Sequence, residues 1–236
     1  MKKNIVFYGN ANHGKSTLIG YIVAELNPKI DLDKMEKYFR REFGDAYNPK
    51  LLYTWLVNKD KYKAGVIPNE LTGILVPIKV INETGESINN ALRSVSLEIN
   101  NESMDFTFID TPGQHPETRD KVLQLGEVGV FCVEIGQVLD EEFSEEYFEK
   151  YEIWSKFSGE QPIVLLTKID AHFTEKKHND AVEKIKLCCN YDDPIIIPTA
   201  VLVSERRSLN VFQTSQDTFW YEGDTVIDAI KKSVQV

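Results

Sequence analysis

Residues 4–16 read Asn4-Ile5-Val6-Phe7-Tyr8-Gly9-Asn10-Ala11-Asn12-His13-Gly14-Lys15-Ser16. The run Ile5 to Tyr8 is apolar and strand-forming, and it leads straight into G-x-x-x-x-G-K-S, the phosphate-binding P-loop pattern. After it comes Thr17-Leu18-Ile19-Gly20-Tyr21-Ile22-Val23-Ala24-Glu25-Leu26, which reads as a helix. A strand, a glycine loop and a helix in that order make a cradle for phosphate. The loop amides from Gly9 through Asn10, Ala11, Asn12, His13 and Gly14 to Lys15, Ser16 and Thr17 face the anion, and Lys15 adds positive charge. The Ser16 hydroxyl is placed to ligate Mg²⁺ beside the phosphates. Gly9 and Gly14 stand where the backbone has to approach closely.

The rest of the chain fits this start. Its 236 residues are enough for one large domain, read here as a single unit over 1–236. Hydrophobic content of 42% and charged content of 27% are those of an ordinary globular protein. No apolar run is long enough for a membrane span, and the N-terminus has no signal-peptide pattern, so a cytoplasmic protein without membrane contact is expected. The net charge of −10 argues against a broad electrostatic grip on nucleic acid. Lys34, Lys37, Arg40 and Arg41 are close enough for a local basic patch, but read more simply as a solvated helix face. The three cysteines, Cys132, Cys188 and Cys189, lack metal-ligand spacing and read as reduced thiols.

Strand-like and helix-like runs alternate along the chain. Strands are expected at 4–8, 128–135, 161–167 and 194–198, with helices to about 26, from about 140 to 157, at 175–188 and at 225–233. A hairpin is expected from 94–99 and 104–109 around the turn Asn100-Asn101-Glu102-Ser103. The aromatic stripe Phe143, Tyr147, Phe148, Tyr151 and Trp154 reads as core. The pattern predicts an α/β, three-layer P-loop fold: a mostly parallel sheet between helices, with one antiparallel hairpin.

Two further segments bear on the nucleotide. Asp110-Thr111-Pro112-Gly113 ends the second hairpin strand. Asp110 can hold Mg²⁺ through a water, and the Gly113 amide can reach a γ-phosphate. Thr167-Lys168-Ile169-Asp170 also follows a strand. A carboxylate at Asp170 can accept both the ring N–H and the exocyclic amine of guanine, a donor pair that adenine lacks. The Lys168 stem can lie along the base. Thr199-Ala200-Val201, after Pro198, can point a backbone N–H at the guanine oxygen.

In this order, P-loop, D-x-x-G, [NT]-K-x-D and a small-residue loop resemble the GTPase superfamily. The spelling N-H-G-K-S-T and the run D-T-P-G-Q-H are similar to translation-factor GTPases of the elongation factor Tu and elongation factor 1-alpha type. Phe219-Trp220-Tyr221-Glu222-Gly223 and Tyr53-Thr54-Trp55 strengthen the likeness to the latter. The two β-barrel domains of that family have no counterpart in the sequence. The resemblance implies a nucleotide-binding G domain that uses Mg²⁺ and hydrolyses GTP, slowly unless a partner assists. It implies GTP and GDP as ligands, a protein partner such as an activator or exchange factor, and a possible association with the ribosome. Gln114 or His115 would orient the attacking water, with Gln114 favoured by register. The first-switch Mg²⁺ ligand is expected at Thr72, with Ser94 and Ser96 as rivals. Residues of about 75–93 read as an insertion in that region. Thr167 stands where the family usually has Asn, and its hydroxyl replaces only part of an amide's hydrogen bonding. The alternatives are a nucleotide-dependent switch with negligible hydrolysis, a translation-associated factor acting with partner proteins, and a P-loop ATPase in which Asp170 is structural.

Overall fold

A computed structural model describes residues 2–27, 30–57, 78–81, 87–88, 95–99, 102–111, 126–140, 143, 162–171, 174–189 and 193–234. The strands are β1 (Lys2–Tyr8), β2 (Ile78–Ile81), β3 (Ser87–Ile88), β4 (Val95–Ile99), β5 (Glu102–Asp110), β6 (Val128–Glu134), β7 (Ile163–Thr167), β8 (Ile195–Pro198), β9 (Ala200–Leu202) and β10 (Arg207–Leu209). The helices are α1 (Lys15–Leu26), α2 (Leu32–Phe43), α3 (Lys50–Val57), α4 (Ile135–Leu139), α5 (Glu175–Cys188) and α6 (Val226–Ser233).

The central strands are apolar on both faces because both faces are covered. In β1, Ile5 and Phe7 join one core while Val6 and Tyr8 join the other. The same alternation places Val130 and Cys132 of β6, and Ile163 and Leu165 of β7, with α1, α3 and α6. Phe131, Val133, Val164 and Leu166 go with α4 and α5. This is the near-continuous apolar strand of a parallel sheet between two helical layers. Among the described residues the strand order is β3-β2-β5-β1-β6-β7-β8, with β4 paired to β5. The pairs from β2 through β5, β1, β6 and β7 to β8 are all parallel. The carboxyl ends of these strands therefore share one edge, where ligands bind in such sheets.

The expected hairpin is present as β4–β5, with a shorter turn than the sequence suggested. Ile99 faces Glu102 and Glu98 faces Ser103, so the two polar residues counted as turn belong to the ladder. Strand pairing is made by the backbone, and polar side chains do not end it. Two further antiparallel pairs accompany the hairpin: β2–β3, within the segment read as an insertion, and β9–β10 beyond β8. Of the helix expected from about 140 to 157, only Asp140 and Phe143 are described. Phe143 is buried as the aromatic stripe required, and Tyr147, Phe148, Tyr151 and Trp154 lie outside the described residues. A short helix, α4, precedes that segment.

Local chemistry sets the helix ends. The Asp31 carboxylate accepts from the Lys34 amide at 3.0 Å, and the Thr174 hydroxyl from that of Lys177 at 3.3 Å. Thr225 accepts from the Asp228 amide at 3.1 Å and donates to the Asp228 carboxylate at 2.7 Å. These are N-caps of the expected type. Helix α1 packs directly on α3: a Cβ on Gly20 would lie 2.1 Å from the Tyr53 carbonyl oxygen. Among the described residues no helix is long and apolar enough to cross a membrane.

Candidate nucleotide site

The P-loop lies between the end of β1 and the start of α1. Gly9 has φ 132°, and a Cβ there would meet the Cys132 carbonyl oxygen at 2.1 Å. The chain leaves β1 hard against β6, and only glycine fits. Asn12 (φ 66°) and Gly14 (φ 84°) turn the loop through the left-handed region, which leads the chain into α1 with its first amides facing the loop. Lys15 is buried, and its ammonium donates to the Gly9 carbonyl at 2.9 Å and the Asn10 carbonyl at 2.7 Å. Ala11 is half-buried, as is Thr17 in the first turn of α1.

His13 is buried beneath the loop, with Nδ1 3.2 Å from the Cys132 carbonyl oxygen. A carbonyl only accepts, so Nδ1 carries the proton. Burial holds the His13 pKa below its usual value and the Lys15 charge adds to this, while bonds to Cys132 and Gln137 oppose it. Burial also pushes the Cys132 thiol up to about 12, so this cysteine is an unreactive packing group.

Ser16 Oγ donates to Asp110 Oδ2 at 2.5 Å, across 94 positions of sequence. Parallel pairing of β1 and β5 sets Asp110 beside Phe7 and so presents it to the loop. Thr111 fixes this strand end, because its amide and its hydroxyl both donate to the Phe7 carbonyl, at 3.2 and 3.0 Å. The Ser16–Asp110 pair is one hydroxyl and one carboxylate, an all-oxygen set. That fits Mg²⁺, which is held by few protein oxygens together with phosphate and water. No cluster of three or more His, Cys, Asp or Glu suited to a metal occurs among the described residues.

The far end of the site is built on β7. Thr167 is buried, and its hydroxyl lies 2.8 Å from the His13 carbonyl oxygen and 3.2 Å from that of Val133. It thus ties the P-loop to the Thr167–Asp170 segment and to β6. Lys168 takes φ 58°, and its ammonium pairs with Glu134 Oε2 at 2.6 Å. Asp170 is exposed in a short 3-10 turn.

The Thr199 amide donates to the Leu166 carbonyl at 2.8 Å and its hydroxyl to the Leu209 carbonyl at 2.8 Å. Both donors of Thr199 are thus used within the fold, and Ala200 and Val201 lie in β9 rather than in a loop. The hairpin stands on Asn210, which is fully buried. Its side chain donates to the Pro198 carbonyl at 2.8 Å, and accepts from the Ser215 amide at 2.8 Å and the Thr218 hydroxyl at 3.0 Å.

The structure therefore brings together Gly9 to Thr17, Asp110, Thr167, Lys168 and Asp170 at one sheet edge. Gly113, Gln114, His115 and Thr72 lie outside the described residues, as do the rivals Ser94 and, for its side chain, Ser96. Of the basic cluster on α2, Lys34, Arg40 and Arg41 are engaged locally. Lys34 pairs with Asp31 at 3.0 Å and Arg40 with Glu36 at 2.6 Å, while the Arg41 guanidinium lies over Tyr38. The sequence names Thr111 within D-T-P-G but gives it no role, and it offers no reading of Glu134 or Asn210. Glu134 left one signal, a charged residue closing an otherwise apolar strand.

Comparison with known proteins agrees with this geometry. The chain is 23% identical over 233 residues to elongation factor 1-alpha of Thermoplasma volcanium, and 25% identical over 233 residues to that of Methanothrix thermoacetophila. Each match covers 96% of this chain and 48% of the relative, so the chain spans about half the length of the curated relatives it matches. The S. cerevisiae Ski7 GTPase-like domain, solved with GTP, superposes with a TM-score of 0.62 at 19% identity, over 100% of this chain and 50% of that one. Sup35 complexed with GDP gives a TM-score of 0.53 at 16% identity, over 98% of this chain and 44% of that one. The chain has the fold of these GTPase-like domains and is similar in sequence to elongation factor 1-alpha. No protein-family model matches it. The fold expected from the P-loop, the mostly parallel sheet and the β4–β5 hairpin is the one observed.

Proposed function

We propose that this chain binds GTP and GDP with Mg²⁺ and hydrolyses GTP to GDP and phosphate, slowly without a partner. The observation that carries this is the meeting of three distant motifs at one sheet edge. Ser16 bonds Asp110, and Thr167 bonds the His13 carbonyl. In this reading the P-loop amides and Lys15 hold the phosphates and stabilise charge that develops on them. On nucleotide binding the Lys15 ammonium exchanges its Gly9 and Asn10 carbonyls for phosphate oxygens. Ser16 and Asp110 would hold Mg²⁺, which supplies charge neutralisation at the phosphates. Asp170 reads guanine, and a backbone amide of Ala200 or Val201 donates to the base oxygen. Gln114 orients water, with His115 as the rival, Gly113 meets the γ-phosphate, and Thr72 completes the first switch. The partner class is an activator or exchange protein, and ribosome association is the place to look for it.

The test is binding of fluorescent GDP and ATP analogues to wild type and Asp170→Asn, with GTP turnover followed in the same samples. Guanine-selective binding that Asp170→Asn abolishes is expected, with turnover on the order of 10⁻⁴ to 10⁻² per second. Equal binding of the two nucleotides would refute the base-reading role of T-K-I-D. Guanine-selective binding with GTP intact after hours would make the domain a switch rather than an enzyme.

A further inference from the structure

The base end of the site contains a charged residue that none of the motifs explains. Glu134 closes β6 and pairs in register with Thr167 at the end of β7, so its side chain stands beside Lys168. Its carboxylate holds the Lys168 ammonium at 2.6 Å, with both side chains about one-third exposed, at 34% and 36%. Lys168 reaches this position from a left-handed backbone, φ 58°, which a non-glycine residue adopts only under constraint. Two residues further on, Asp170 is exposed and forms no hydrogen bond or ion pair among the described residues. A lysine so close to a carboxylate that reads a nucleobase is a competitor. An unrestrained ammonium there would pair with Asp170 and cover the oxygens that have to accept from the base.

We propose that Glu134 is a specificity-determining positioning residue. By holding the Lys168 ammonium it lays the lysine stem along one wall of the base site and keeps the Asp170 carboxylate open to the paired N–H donors of a guanine base. This rests on the guanine reading of Asp170 given above. Glu134 acts through Lys168 and need not touch the nucleotide.

The experiment is a double-mutant cycle on the whole protein with Glu134→Gln, Lys168→Met and the double variant. It measures the affinity for GDP and for inosine diphosphate, whose base lacks the exocyclic amine, and uses thermal melting to follow the fold. Glu134→Gln is expected to weaken GDP two- to fivefold, the range for a partly exposed ion pair, and to weaken inosine diphosphate less. In the Lys168→Met background the same change is expected to have no further effect on either ligand. Unchanged GDP binding in Glu134→Gln would overturn the proposal. So would an equal loss with and without Lys168, since a purely structural role for Glu134 predicts that result. A wild-type protein with no preference for GDP would remove the underlying reading, and this proposal with it. A ratio of GDP to inosine diphosphate affinity in Glu134→Gln equal to that of the wild type would remove the proposal alone.

Discussion

The hydroxyl of Thr167 gives the sharpest test of how the site is held together. Thr167→Val keeps the shape and the β-branch and deletes only the donor. In the wild type that donor lies 2.8 Å from the His13 carbonyl oxygen and 3.2 Å from that of Val133. A hydroxyl has one proton, so the shorter contact dominates. Thr167 and His13 are both buried, so the variant leaves the His13 carbonyl without its partner and without water in its place. A net hydrogen bond is worth about 1 kcal/mol and a stranded buried acceptor about 1–3, so a loss of about 1–2 kcal/mol is expected. At roughly 2–4 °C per kcal/mol for a domain of this size, the melting temperature should fall by roughly 2–8 °C. The bond also anchors the P-loop, so GDP should be released faster. Thr167→Ser retains the donor and should keep most of both properties. The assay is thermal unfolding followed by release of a fluorescent GDP analogue. A Thr167→Val protein that melts and releases GDP like wild type would refute the claim that this hydroxyl staples the loop.

Gly9→Ala sets a Cβ against the Cys132 carbonyl at a φ of 132°, and should cost about 3 kcal/mol and abolish nucleotide binding, as read by thermal melting and GDP titration. Asn210→Ala removes three side-chain bonds, two of them buried, at a position whose φ of 55° also favours Asn. The expected loss is roughly 3 kcal/mol in denaturant unfolding, with the damage centred on the β9–β10 hairpin. His178 is buried with its ring 4.6 Å from that of Trp220, and burial holds its pKa below 6.5, while its bond to Asn179 and the Glu175 charge oppose the shift. The unfolded chain therefore takes up a proton before the folded one, and stability declines as pH falls from about 6.5 toward the folded value. The buried His13, lowered in the same direction, adds to this decline. His178→Phe keeps the stacking and removes the titration, so its melting temperature should fall less than that of wild type between pH 7.5 and 5.5. An identical slope would remove His178 from the account.

The parts of the site that were legible in the sequence are those written locally. Gly9 to Ser16 is one loop between a strand and a helix, and its glycines, lysine and serine have to fall at fixed spacing because one turn of backbone surrounds one phosphate. Asp110 and T-K-I-D could be placed because each follows an apolar run, and parallel strands end at a common edge. What the sequence left hidden depends on register. Glu134 meets Lys168 only because β6 and β7 pair Glu134 with Thr167, and Thr111 meets Phe7 only because β1 and β5 pair Phe7 with Asp110. Neither pairing has a local signature, since shifting a strand by two residues would leave its apolar pattern unchanged. Asn210 was hidden for a different reason. A buried amide that organises a loop has the same letters as an exposed turn residue, and only burial tells them apart. Thr167 joins the two kinds. Its place in the motif was readable, but its reach to both His13 and Val133 was not. The small hydroxyl bonds the P-loop carbonyl at full strength because β6, β7 and the loop approach closely at that point. A residue that looked like a weakened form of the family's Asn is therefore a fitted tie. The Thr167→Ser and Thr167→Val pair tests that directly, because the side chain's bulk changes in the first and its donor in the second.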